Sequence, residues 1–454
     1  MLSTPQTHRI SDTLKRLLRR NAEPNIRRIL ERTHPADLAQ VLDRFLPLEQ
    51  LRLLGLFGDD ERQAEVVASL PLAHAAELVE SLDLERAVAV LREMSGDDRA
   101  DILGELDEEL AHEILAAFPA EESDEVADLL RYDEATAGGI MSPDVLAIAQ
   151  EVTASEAIRI VQESPDVEMA FYIYVVDDHY NLVGVVSLRQ LVTSKPNVPL
   201  KECMNPQVVS VRTEEDQEEV ARIVSRYDLL AVPVVDDTNT LVGVVTVDDV
   251  IDVLREEATE DILKMAGAGE QLDDRQSVFG SVLRRAPWLA VAWGGGLVAS
   301  IIIGRFESML KEYVALVGFL PVIIGMAGNV GTQSLAIVVR GLATRRIDVK
   351  QFWRVFGRET SVGILLGLLY GAALGAWGFV TMHTAPGANV LLLAAVVGSA
   401  SAIAMVIAAA VGATMPLILA RIGVDPAVAT GPFVTTAIDI LGVIVYFNIV
   451  HVLL

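Results

Sequence analysis

Cysteine is almost absent from this chain. Cys203 is the one cysteine in 454 residues, so no disulfide can form within the chain, which fits a reducing cytosol. Histidine is scarce too: the seven copies are scattered, form no metal-ligand cluster and pair with no nucleophile. No P-loop occurs, so the sequence offers no machinery for an enzyme. Met1 to Glu31 lacks the apolar core of a signal peptide and holds only scattered Arg, Leu and Ile. Basic residues are few, 36 against 63 acids, and the shortfall is uneven. Residues 287–454 hold 9 basic and 6 acidic side chains, a net of +3, while the first 286 residues hold 27 and 57, a net of −30. Acidity of that order repels nucleic acid and suits cations or simple solubility.

Charge itself is missing from long stretches of the C-terminal part. Ala286 to Gly304 carries none over 19 residues, Tyr313 to Val339 none over 27, and Thr360 to Ala420 none over 61. Roughly 20 apolar residues cross a bilayer as a helix, so the longest run is two spans, broken near residues 381–389. The last run, Pro426 to Leu454, makes a fifth span and contains a single acid, Asp439. A carboxylate in mid-span costs ~2.5–3.5 kcal/mol on insertion scales and is tolerated beside water or a cation. Thr435 and Thr436 precede it by one turn and share its helix face. The second span, PVIIGMAGNVGTQS (321–334), is unusually small and polar. Gly325, Gly328, Asn329 and Thr332, with Thr435, are candidate pore-lining groups around Asp439. Arg340, Arg345, Arg346, Lys350, Arg354 and Arg358 crowd the loop after the second span, which places that loop in the cytoplasm. The acidic N-terminal part then lies in the cytosol, and five spans put Leu454 outside.

The acidic part opens with helices. AELVESLDLERAVAVL (76–91) and ADILGELDEELAHEIL (100–115) align with a period of 24 residues, pairing Leu78 with Ile102 and Val79 with Leu103. This predicts a small all-α solenoid over residues 1–135, whose units bury their faces by stacking. After Gly138–Gly139 a different repeat begins. MSPDVLAIAQEVTASEAIRIV (141–161) is echoed by MNPQVVSVRTEEDQEEVARIV (204–224), and YVVDDHYNLVGVVSLRQL (174–191) by PVVDDTNTLVGVVTVDDV (233–250). Two copies of this pattern over residues 136–248 resemble a tandem pair of CBS domains, an α/β ligand-sensing module that often takes adenine nucleotides. That likeness makes Tyr172, Arg189 and Asp249 candidate nucleotide-binding residues, with ATP as the expected ligand. Asp249 completes the [ST]-x-x-D pattern from Thr246, whereas the first copy ends in Gln190. Asp249 to Met265 then continues as an amphipathic helix with acids over most of its surface, and Ala266 to Asp274 reads as a flexible joint.

Taken together the chain resembles the MgtE family of magnesium channels. The likeness rests on A-G-G-I-M-S-P (137–143), the two CBS copies, T-V-D-D-V-I-D-V-L with E-A-T-E-D (246–261), G-N-V-G-T-Q-S (328–334), G-V-D-P (423–426) and Asp439. It implies a multidomain membrane protein: a solenoid N-domain, a tandem CBS pair, an acidic plug helix over 249–274, and a five-helix transmembrane domain over 275–454. It further implies a homodimeric Mg2+ channel of the plasma membrane, with Asp439 attracting hydrated ions. Regulatory Mg2+ ligands implied by the same likeness are Asp97, Asp101, Asp228, Asp249, Asp252, Glu257, Glu260, Asp261 and Asp425, with Glu65 a looser match. The alternative is a coupled divalent-cation transporter or exporter. For proton coupling the spans add only His383 and His451 to Asp439, both near span ends.

Overall fold

The computed structural model describes residues 4–164, 171–267, 278–382, 389–427 and 431–454. They form two compact units, Met1–Arg255 and Glu256–Leu454.

The first unit begins with short helices: α1 (Thr4–Arg19), α2 (Glu23–Arg32), α3 (Pro35–Leu42), α4 (Pro47–Leu54), α5 (Asp60–Ala68), α6 (Leu72–Glu80), α7 (Leu84–Arg92), α8 (Gly96–Glu105), α9 (Glu108–Ala117) and α10 (Ala120–Leu129). Nine of them fall below the ~12–15 residues at which an isolated helix becomes marginal in water, so they persist only by stacking. Odd-numbered helices from α1 to α9 pack in one row and even-numbered ones from α4 to α10 in another. The 24-residue period is one helix pair, α6–α7, repeated as α8–α9. Leu78, Val79, Ile102 and Leu103 are buried in one shared core, as their alignment requires. Proline in the first turn of α2, α3 and α4 starts each helix where its missing N–H costs nothing. Buried polar side chains close helix ends whose last carbonyls have no partner of their own. Gln50 donates to Leu42 O at 2.9 Å, Gln63 to Leu54 O at 3.1 Å, and Arg99 to Leu91 O and Met94 O at 2.9 Å each.

Two three-stranded sheets follow. β1 (Ala147–Ala149) runs parallel to β2 (Tyr172–Val176), which pairs antiparallel with β3 (Leu182–Ser187). β4 (Val211–Arg212), β5 (Ala231–Val235) and β6 (Leu241–Thr246) repeat that order. With them go α11 (Ala154–Glu163), α12 (Leu188–Thr193), α13 (Leu200–Cys203) and α14 (Gln217–Tyr227). The repeated V-V-D-D is turn chemistry. Asp177 accepts from the N–H groups of His179 and Asn181, and Asp236 from those of Thr238 and Thr240. The repeated M-x-P and L-V-G-V-V are linked crosswise. Met141, which opens the first copy, lies on Gly243 of the second, and Met204, which opens the second, lies on Gly184 of the first. A Cβ at either glycine would strike the methionine, so each copy is sealed by the start of the other.

β6 runs directly into α15 (Val247–Ala266), close to the helix expected over 249–265, and α15 crosses the boundary between the units. The second unit contains α16 (Val278–Arg305), α17 (Glu307–Glu312), α18 (Val314–Val317), α19 (Leu320–Ala343), α20 (Phe352–Thr381), α21 (Val390–Arg421) and α22 (Gly431–Leu453). Among the described residues five stretches are long and apolar enough to cross a membrane: Val278–Arg305, Val314–Ala343, Val349–Thr381, Val390–Arg421 and Gly431–Leu453. The 61-residue charge-free run is thus two helices, as its length demands. The first helix begins eight residues before the charge-free run, carrying Arg284 and Arg285 on its early turns. Within this unit α21 is central, packed by α19, α20 and α22. Most of the joint expected over 266–274 and of the break at 381–389 lies outside the described residues.

Candidate functional site

Asp439 stands in the third turn of α22, half-buried, with no hydrogen bond or ion pair to its carboxylate among the described residues. The residue before it, Ile438, is buried against Gly331 of α19, and Gly331 in turn meets the backbone of Gly412 in α21. Three helices therefore cross at the level of the acid, and glycine is what lets them approach. The two threonines one turn earlier divide their roles. Thr435 is exposed and donates to Gly431 O at 2.9 Å, while the methyl of Thr436 fills the space a Cβ would need at Gly295 in α16. Thr436 is a packing residue despite its place beside the acid.

The polar second span has two faces. Ala327, Val330, Gly331, Ser334 and Leu335 turn inward. Gly325, Asn329 and Thr332 share the opposite side and are exposed in the single chain, with Gly328 half-covered between them. Thr332 donates to Gly328 O at 2.8 Å, but none of the described residues covers this polar stripe. Four of the five residues expected to line a pore thus share one strip of α19, three of them exposed and Gly328 half-covered, and Thr435 is exposed on α22. His451 is exposed in the last turn of α22, and His383 is outside the described residues.

Some of the acids expected to bind regulatory Mg2+ gather in two places. In the first unit the opening turns of α8 and α15 face each other, each bearing an Asp–Asp pair: Asp97–Asp98 and Asp248–Asp249. Asp97 Oδ1 is buried without a hydrogen-bond donor among the described residues. Burial, then the negative charge of Asp97, raises Asp98 to about 6 against the opposing bond from Ser95. Burial and Asp97 likewise raise Asp249 to about 7, although Thr246 donates to its carboxylate at 2.5 Å. An orphaned carboxylate oxygen among crowded acids concentrates negative charge that burial makes costly. Asp98 and Asp248 add to the residues expected from sequence; the adjacent acid pairs in helix first turns were the signal.

The second gathering lies at the far end of α15. Burial first, then the charges of Asp425 and Glu257, raises the Asp261 carboxyl above its ordinary range. Lys264 reaches both Glu260 (2.5 Å) and Asp425 (3.1 Å). The sequence points to Glu257, Glu260, Asp261 and Asp425 but not to the lysine among them. The other expected ligands stand apart. Glu65 and Asp101 are exposed on α5 and α8, and Asp252 is exposed and pairs with Arg255 at 3.2 Å. Asp228 ends α14 with φ +51°, a left-handed position that aspartate tolerates better than most residues. Among the described residues no three His, Cys, Asp or Glu side chains converge closely enough to ligate one metal ion directly.

A cavity of about 530 Å³ opens in the first CBS copy, lined by Phe171, Tyr172, Ser187, Leu188, Arg189, Val192, Thr193 and Leu230. It joins two aromatic rings to one guanidinium on a mostly apolar wall, which suits a flat, anionic ligand. Tyr172 and Arg189 are there, as expected. Asp249 is not among the lining residues and belongs to the acid cluster instead.

These features define a multi-pass membrane protein with a CBS-bearing, acid-rich N-terminal half. A family model described as a divalent cation transporter matches residues 320–449, the MgtE intracellular N domain matches 33–135, and the CBS domain matches 137–196 and 200–256. The chain is 43% identical to a magnesium transporter MgtE of Thermus thermophilus over 73% of its own length and 72% of the relative's. It is 38% identical to the magnesium transporter MgtE of Bacillus subtilis over 74% and 73%. Its fold is similar to a crystal structure of the cytosolic domain of the Mg2+ channel MgtE in complex with ATP, with TM-score 0.52 and 38% identity, covering 54% of this chain and 99% of that one. The soluble part of a magnesium transporter gives TM-score 0.50 and 29% identity, covering 56% and 99%. The chain belongs to the MgtE family, and its N-terminal domain is intracellular.

Proposed function

We propose that two copies of this chain form a Mg2+ channel that admits magnesium across the plasma membrane and closes when cytosolic Mg2+ binds its acidic domains. The observation that carries this reading is Asp439, a carboxylate without a described partner in an apolar helix, level with the glycine crossing of α19 and α22. A lone acid there is costly unless water or a cation reaches it. Mg2+ sheds its water reluctantly, so a single acid per subunit holding a hydrated ion suits it. The uncovered strip of Gly325, Asn329 and Thr332 supplies oxygen acceptors that lipid could not satisfy, so a second copy and a water-filled path belong on that side. The regulatory acids offer the oxygen donors Mg2+ prefers, and because no three of them converge for direct ligation among the described residues, they would hold the ion through its water. A Mg2+ held at either cluster would supply the positive charge that lets the carboxylates ionise side by side and so favour the closed form. Tyr172 and Arg189 hold ATP in the CBS cavity by ring stacking and phosphate contact. The basic loop from Arg340 to Arg358 stays in the cytoplasm and Leu454 outside. The protein is a transporter and not an enzyme.

Mg2+ flux into proteoliposomes, with and without Mg2+ on the cytoplasmic side, tests the proposal. Flux that runs down its gradient without a counter-ion and falls as cytoplasmic Mg2+ rises is expected. Absence of flux, or flux that requires a coupled ion, overturns the channel reading.

A further inference from the structure

At the end of α15 a positive charge is already seated among the acids. Lys264 Nζ lies 2.5 Å from Glu260 Oε1, one turn back, and 3.1 Å from Asp425 Oδ2, which is 161 residues away. Its side chain is only 16% exposed, so the ammonium exchanges most of its water for these two carboxylates. An ordinary surface pair four residues apart would contribute little. The partner from the distant loop makes this one different. That loop is fixed: the other oxygen of Asp425 accepts from Ala427 N at 2.8 Å. The helix end is fixed too, because Gly267 packs on Pro432 and the Met265 carbonyl lies against Gly431. Both residues belong to the turn that starts α22, the helix of Asp439. Three acids, Glu260, Asp261 and Asp425, thus meet Lys264, and these four groups together carry a net charge of −2.

We propose that Lys264 is a tethered cation, a built-in competitor that bridges Glu260 and Asp425 when divalent ions are scarce and so sets the Mg2+ concentration at which the channel closes. The inference rests on the reading that Mg2+ acts at this cluster. Two consequences follow from the charge count. Part of the docking of α15 on the Asp425 loop persists without Mg2+, because the ammonium stands in for the ion, and Mg2+ completes it. An arriving Mg2+ meets a like charge within a few ångström, at a site where burial weakens screening, so its apparent affinity is held down.

Lys264→Gln in the full chain tests this. Flux is measured in proteoliposomes against cytoplasmic Mg2+, and protection of residues 255–267 from protease is followed in detergent at constant ionic strength. The Mg2+ midpoint of both should fall by about tenfold, since one repelling unit charge is removed. Protection in EDTA should drop, since the bridge is gone. Lys264→Arg, which keeps the charge, should hold the wild-type midpoint. If the glutamine variant does not fold, Lys264→Met keeps the aliphatic stem and should show the same shift. A midpoint unchanged or raised in a folded, charge-neutral variant overturns the proposal. Wild-type flux and protection that ignore Mg2+ would overturn the parent reading as well, and that result needs no variant to be seen.

Discussion

The phenol of Tyr446 donates a 2.7 Å hydrogen bond to the carbonyl of Leu316, joining α22 to α18 across 130 residues of chain. Both residues are buried, and Phe447 stacks on Phe306 beside them with ring centroids 4.8 Å apart. This contact lies two turns beyond Asp439 and fixes the helix that carries it. Tyr446→Phe leaves the carbonyl buried without a donor, which costs about 1–3 kcal/mol. The expected outcome is a lower melting temperature in detergent with flux per folded protein retained. Unchanged stability would mean that another group takes the donor's place.

Asp439→Ala should abolish or strongly reduce Mg2+ flux in a protein that inserts normally, because the carboxylate is itself unfavourable in the span. Asp439→Asn is the finer variant. It keeps shape and hydrogen bonding but loses the charge, so divalent flux should fall while any monovalent leak persists or rises. Wild-type Mg2+ flux in either folded variant would remove Asp439 from the conduction path.

The facing acid pairs of α8 and α15 make a pH prediction. Asp98 and Asp249 are raised, to about 6 and about 7, so the folded first unit binds protons that the unfolded chain releases near pH ~4. Their contribution to stability is complete below the unfolded value and is lost as pH rises through the folded values, with Asp97 and Asp248 adding to the repulsion. Mg2+ should therefore stabilise the protein more at about pH 8, where the cluster is ionised, than at about pH 5.5, where much of it is protonated. Thermal unfolding at constant ionic strength reads this directly. Asp249→Asn should flatten the pH dependence and reduce the gain from Mg2+. An equal gain at both pH values would assign the effect to other acids.

For the nucleotide cavity, Tyr172→Ala should weaken ATP binding by about 1–3 kcal/mol if the base stacks on the ring. Arg189→Ala should weaken it further for ATP than for adenosine, since the guanidinium meets phosphate. Asp249→Asn, outside the described lining, should change ATP affinity little at fixed Mg2+. Calorimetry on the full chain separates the three. A large loss in Asp249→Asn alone would place the nucleotide elsewhere.

Much of the architecture was legible because its causes are local. Runs without charge mark spans whatever surrounds them, since lipid offers no partner for a charge. The 24-residue period and the doubled M-x-P and L-V-G-V-V patterns announce repeats because each copy repeats the same burial. Asp439 could be singled out because an acid in such a run needs a reason. What could not be read was which of two adjacent polar residues faces in: Thr435 and Thr436 look alike in sequence, and only the approach of Gly295 turns one of them into packing.

The sequence by itself determined the division into an acidic cytosolic half and an apolar half, the repeat units and the acid in the middle of the last span, since hydropathy and periodicity act over a few turns. Only the tertiary structure decided which acids meet. Dozens of carboxylates line the first half, yet Asp97 finds Asp249 because α8 and the end of β6 are packed into one unit. Lys264 reaches Asp425 because the first turn of α22 holds the end of α15. Charge acts over distances that sequence separation does not measure, so it is the packing of the chain that selects which charges act on one another.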